Sequence, residues 1–146
     1  MTTIHLHANI KATPEQFVAG LTDFGPGRAE LFGNSADKDL VVHEKGVDHA
    51  DVTEGSRGVW ERLTYDWSNP RHVVLTTTDS NIWGGNSSHV YDLTPLADGT
   101  TDVDYTLVRD GKNLRGRIVA KLLTTVGKGV PVTAFQNSVR AIEKRP

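Results

Sequence analysis

Ser87-Ser-His-Val-Tyr-Asp-Leu-Thr-Pro-Leu-Ala-Asp-Gly-Thr-Thr-Asp-Val-Asp-Tyr-Thr-Leu-Val-Arg109 reads as two strands joined by a tight turn. Residues of one polarity recur at every second position on both sides of Ala97-Asp98-Gly99, the period of a strand with one buried face. A three-residue loop with glycine at the left-handed position closes such a hairpin. With that loop Tyr91 falls opposite Tyr105 and Leu93 opposite Val103, so the apolar positions of both strands share one face. A two-residue Asp-Gly turn would set them on opposite faces. His89 and Arg109 have the same parity and turn inward with them.

The same arithmetic applied backwards to Ser68-Asn69-Pro70 pairs Tyr65 with Val73, Leu63 with Leu75 and Glu61 with Thr77. Strand texture extends over 39–45, 49–54, 58–67, 71–78, 87–95 and 100–109. A further strand at the start alternates Ile4, Leu6, Ala8 and Ile10 against His5, His7 and Asn9. That makes seven strands in all. After the first one, Thr13-Pro14-Glu15 supplies an N-cap, a proline at the first helical position and an acid in the first turn, so a short helix is predicted to about Asp23. Gly25-Pro26-Gly27 breaks it, and Arg28 to Phe32 reads as a second short helix ended by Gly33-Asn34. From Asn113 to Lys144, Ile118, Val119, Leu122, Leu123 and Val126, then Val132, Phe135, Val139 and Ile142, recur at helical spacing. This predicts one long amphipathic helix, kinked or broken near Gly127 to Pro131, where two glycines and a proline weaken it.

The 146 residues suit a single domain spanning 1–146, large enough for a full core without staples. No cysteine is present, which excludes disulfides, thiol nucleophiles and thiolate metal sites. A net charge of −2 offers no broad positive field for a phosphate backbone, so nucleic acid is not an expected partner. The start carries no basic leader, and no run of about 18 apolar residues occurs, so a soluble cytoplasmic protein without stable membrane insertion is expected. It is expected to be a monomer or weak homodimer that needs no cofactor.

A strand, two short helices, six antiparallel strands and a long C-terminal helix resembles the helix-grip order of START domains, pollen-allergen-like (Bet v 1-like) proteins and polyketide cyclases. Thr13-Pro14-Glu15-Gln16-Phe17, Trp60-Glu61-Arg62 with Asp66-Trp67-Ser68-Asn69-Pro70, and Asp98-Gly99-Thr100 resemble that superfamily's helix start, central hairpin and late hairpin. The resemblance implies an α+β fold in which a seven-stranded curved antiparallel sheet wraps a long C-terminal helix. It also implies a cavity between sheet and helix that takes a lipid, a polyketide or a similar small hydrophobic molecule. Two functions fit: binding or carriage of that molecule, or cyclase/aromatase-like chemistry on it.

The inward face supplies the candidates. Ligand lining is expected from Leu63, Tyr65, Leu75, Tyr91, Leu93, Val103, Leu107 and Arg109, with Ile118 and Leu122 from the helix. Glu61, His89 and Tyr105 are the candidate catalytic groups. A carboxylate among apolar neighbours should have a raised pKa and serve as a general acid or base, unless Glu61 instead forms a structural ion pair with Arg109. His89 and the tyrosines could orient a polar group or relay a proton, or simply fill the core with partnered hydroxyls. His5 and His7 share the outward face and read as solvated. Ser87 and Ser88 lack a Gly-x-Ser-x-Gly elbow, which rejects a serine hydrolase. Gly84-Gly85 has no helix behind it to cradle phosphate. Trp83, Gly25-Pro26-Gly27 and Gly127 to Pro131 are the expected entrance. The basic stripe Arg109, Lys112, Arg115, Arg117 and Lys121 suits an anionic head group, an acidic membrane surface or plain solvation.

Overall fold

The computed structural model describes residues 1–146. In chain order the elements are β1 (Thr2–Ile10), α1 (Pro14–Leu21), α2 (Arg28–Leu31), a 3-10 turn (Asp37–Asp39), β2 (Val41–Lys45), β3 (His49–Ser56), β4 (Val59–Asp66), β5 (His72–Ser80), β6 (Ser88–Pro95), β7 (Thr101–Arg109), α3 (Leu114–Leu122) and α4 (Gly129–Glu143). The seven strands form one antiparallel sheet in the order β1-β7-β6-β5-β4-β3-β2. Five of the six pairings join consecutive strands. The sixth, β1 with β7, brings the first strand beside the last.

Local chemistry explains the boundaries. Thr13 and Gln16 form a reciprocal capping box ahead of α1, with Pro14 at the first position. Asn113 caps α3 by accepting from the Gly116 amide. The β6–β7 loop closes as expected: the Leu96 amide donates to the Thr100 carbonyl, Gly99 has φ 86°, and Tyr91 faces Tyr105 and Leu93 faces Val103. Arg57 and Gly58, both at positive φ, make a two-residue turn between β3 and β4.

Three expectations are corrected. Across β4–β5 the register is displaced by two: Tyr65 pairs with Leu75 and Leu63 with Thr77, because the connection is longer than Ser68-Asn69-Pro70. A bulge then sets Glu61 opposite Ser80. A displacement of two preserves parity, so every inward side chain stays inward. The expected interruption of the C-terminal segment is a full break between two helices, and it begins at Leu123, earlier than Gly127 to Pro131. Pro131 falls in the first turn of α4, where its missing N–H leaves no helical bond unmade. The expected start of β2 at Asp39 is taken by the 3-10 turn.

α4 lies across the inner face of the sheet, with Phe135, Val139 and Ile142 joining Val52, Leu63, Val73 and Leu93 in the main core. Gly20 lets α1 approach, since a Cβ there would lie 2.9 Å from Ile142. α3 packs separately, through Ala120, on Ile82 and Trp83 of the β5–β6 loop. No helix is long and apolar enough to cross a membrane.

Candidate functional site

A cavity of about 300 Å³ lies between the sheet and α4. Of the expected lining, Leu63, Tyr65, Leu75, Tyr91, Leu107 and Arg109 border it, as do Glu61, His89 and Tyr105. Leu93 and Val103 are buried in the core but do not border it. Ile118 and Leu122 point away from it, 51% and 43% exposed, and their sequence neighbours Val119 and Leu123 line it instead. The helix carries two adjacent apolar stripes, and packing against Ile82 and Trp83 selects the other one.

Strand parity and the β7–β6–β5–β4 order place four polar side chains together at one end. Glu61 sits on β4, His89 on β6, Tyr105 and Arg109 on β7, and all four are at least nine-tenths buried. His89 Nδ1 lies 2.7 Å from the Tyr105 hydroxyl and its Nε2 3.3 Å from Glu61 Oε1. Arg109 Nη1 donates to both Glu61 oxygens at 3.2 and 3.3 Å, while its Nη2 lies 3.2 Å from His89 Nε2. The Thr77 hydroxyl donates to Glu61 Oε2 at 2.8 Å. Trp83 lies under the guanidinium of Arg109, 4.9 Å from ring centroid to carbon.

Of the two readings of Glu61, the structural ion pair with Arg109 holds and the raised pKa does not. Burial works to raise it, but the hydrogen bond and charge of His89, the charge of Arg109 and the Thr77 hydroxyl outweigh burial and bring it down to about 2. Glu61 is therefore a permanent anion near neutral pH: a partner for His89 and Arg109, not a proton donor. Burial pushes the Tyr105 phenol upward, so it stays protonated and able to donate. His89 bridges the two ends of this set, with Nδ1 toward the Tyr105 hydroxyl and Nε2 toward Glu61 and Arg109. The ring of Tyr105 is stacked between Tyr91 at 4.5 Å and Phe135 at 5.3 Å, which fixes its direction.

A second buried cluster borders the same cavity and was not anticipated. Arg28, 1% exposed, donates through Nε to Glu54 Oε1 at 2.7 Å and through its other nitrogens to the Asp23 and Leu21 carbonyls and the Tyr65 hydroxyl. The Tyr65 hydroxyl also donates to Glu54. Phe24 and Phe32 cover the guanidinium faces. Glu54 and Glu61 are direct cross-strand partners on β3 and β4, so two buried carboxylates lie side by side, each neutralised by its own arginine. Parity carried a signal for Glu54, two residues after Val52. Nothing local signalled Arg28, whose partner is 26 residues away.

The lining is exposed at Gly33-Asn34, at Trp60 beside the β3–β4 turn, and at Val130 and Ala134 of α4. The mouth therefore includes part of the expected Gly127 to Pro131 region. Trp83 is instead a buried wall residue, and Gly25-Pro26-Gly27 does not border the cavity. His5 and His7 are exposed on the outer face of β1.

Comparison with solved structures closes the question of architecture. The aromatase/cyclase Zhui from Streptomyces sp. R1128 superposes with a TM-score of 0.70 at 14% identity, over 98% of this chain and 94% of that one. A START superfamily protein from Mycobacterium smegmatis gives 0.68 at 12% identity, over 98% and 95%. This chain has the helix-grip fold. The di-domain ARO/CYC StfQ of the steffimycin biosynthetic pathway matches at 0.63 and 13% identity, over 97% of this chain and 50% of that protein. No protein-family profile matches the sequence, and no curated protein matches it significantly. Identities this low speak for the helix-grip fold and not for an activity.

Proposed function

We propose that the protein encloses one small, largely apolar molecule between the sheet and α4, with an oxygen of that molecule directed at Tyr105. The observation that carries this is the cavity itself: about 300 Å³, with 18 of 29 lining residues hydrophobic and two clusters of buried polar groups, of which the one around Tyr105 converges on His89. Ligand cavities run from about 300 to 1,000 Å³, so the ligand is compact. Binding or carriage needs no more than this lining and one donor to orient the guest.

A second reading is favoured by the convergence of Glu61, His89 and Tyr105 within hydrogen-bond reach. In a cyclase/aromatase-like reaction on the same guest, Tyr105 would donate to a carbonyl oxygen as negative charge develops there. An imidazolium at His89 would replace that proton through Nδ1, and the Glu61 carboxylate would hold the ring. Enolisation then balances: the relay delivers one proton to the oxygen, and the neutral His89 left behind takes one back from the adjacent carbon.

Native mass spectrometry of protein isolated from its own host, followed by denaturing extraction, tests both. A stoichiometric guest recovered unchanged supports carriage. A guest or precursor converted by the wild type and not by His89→Ala supports the enzyme. Protein that carries no guest and takes up no apolar probe contradicts both.

A further inference from the structure

Between Asp110 and Glu143 the chain contains six basic residues and no acidic one, although the whole carries 18 acidic against 16 basic residues. That segment is α3, the turns after it and α4. Its first half also exposes aliphatic side chains at every fourth position: Leu114, Ile118, Leu122, Val126 and Val130 are between 43% and 88% exposed. On α3 this spacing draws one stripe along the helix. Lys112, Arg115, Arg117, Lys121 and Lys128 accompany it, and of these only Lys112 has an acidic neighbour, Asp79 at 3.8 Å. The β3–β4 turn adds Arg57, beside Arg115, whose Nη2 lies 3.9 Å from where a Cβ on Gly58 would stand. None of these residues serves the cavity cluster, and the exposed stripe is the one the core did not use.

We infer that α3 and the turns after it are a docking face for an anionic lipid surface, seated beside the cavity mouth. Aliphatic tips flanked by lysine and arginine are the composition of a helix that lies in a membrane interface. A second copy fits poorly, because a two-fold contact would press the same bases against one another. An acidic protein partner is served less well by α3 itself, whose exposed apolar side chains are all aliphatic, since aromatic side chains dominate protein interfaces. The stripe ends at Val130, which is both exposed and part of the cavity lining. Docking therefore sets the mouth against the lipid, where apolar guests concentrate.

Flotation with vesicles tests this, using phosphatidylcholine alone or with about one-third phosphatidylglycerol. The full chain floats with the anionic vesicles and not the neutral ones, and high salt releases it. Arg117→Glu with Lys121→Glu, and separately Ile118→Ser with Leu122→Ser, each lower partition about tenfold or more while circular dichroism stays unchanged, since all four side chains are exposed. Ser138→Phe, which places a ring in the cavity, floats as the wild type does, so failure of the proposed cavity function leaves this result untouched. Absence of flotation, equal flotation with neutral vesicles, or retention on polyglutamate without flotation overturns the inference, the last in favour of an acidic protein partner.

Discussion

Glu61 carries the sharpest consequences at the scale of single residues. Its folded pKa of about 2 is below the usual glutamate value, so its contribution to stability is fully present above about pH 4.5 and is lost as pH falls toward 2. The size of that loss is on the order of 3 kcal/mol. Glu61→Gln keeps the shape but leaves Arg109 buried without its carboxylate, which costs about 3–5 kcal/mol near neutral pH. Urea unfolding from pH 7 to pH 2.5 checks both: the variant should start lower and lose less of its stability on acidification than the wild type. Equal stability of the two proteins at pH 7 would contradict the assigned ion pair. That Glu61 faces inward was legible from parity alone. Its protonation state was not, because it depends on His89 and Arg109, which lie 28 and 48 residues away and reach it only through strand order.

At the scale of elements, what could be read depended on how each connection was built. The late hairpin was legible to the residue because only the three-residue Ala97-Asp98-Gly99 loop puts the apolar positions of both strands on one face. The central hairpin was not, since Trp67 to Arg71 forms a longer connection and the bulge opposite Arg62 and Leu63 has no glycine to announce it. The inward face survived because the displacement was even. Helix periodicity found both apolar stripes of α3 but could not choose between them, a choice made by Ile82 and Trp83. Close contact at that junction gives a second prediction. A Cβ on Gly116 would lie 2.1 Å from the Ile82 carbonyl oxygen, so Gly116→Ala should destabilise by about 2–3 kcal/mol and loosen α3 first, read as faster amide exchange there than in the sheet. Gly129 has nothing within 4 Å of the same position and begins α4, so Gly129→Ala should stabilise by about 0.5–1 kcal/mol. Thermal melting distinguishes the two signs, and a stabilising Gly116→Ala would contradict the packing described for α3.

The whole molecule is a curved sheet, with β1 and β2 at its edges and β1 paired to β7, whose inner face is only partly filled by α4. Two buried arginine–glutamate pairs line the remaining space, and their neighbouring carboxylates are held apart in charge by separate guanidinium groups. Strand order and helix placement thus create both the cavity and its polar end, and the mouth opens next to the basic, aliphatic face of α3. Titration with 1-anilinonaphthalene-8-sulfonate, comparing wild type with Ser138→Phe, tests the claim of enclosure most directly, because Ser138 lines the cavity and is buried on α4. Saturable one-to-one uptake by the wild type is expected, with at least about a tenfold loss in the variant, whose added ring obstructs the cavity. Equal uptake by both proteins, or none by the wild type, would contradict it.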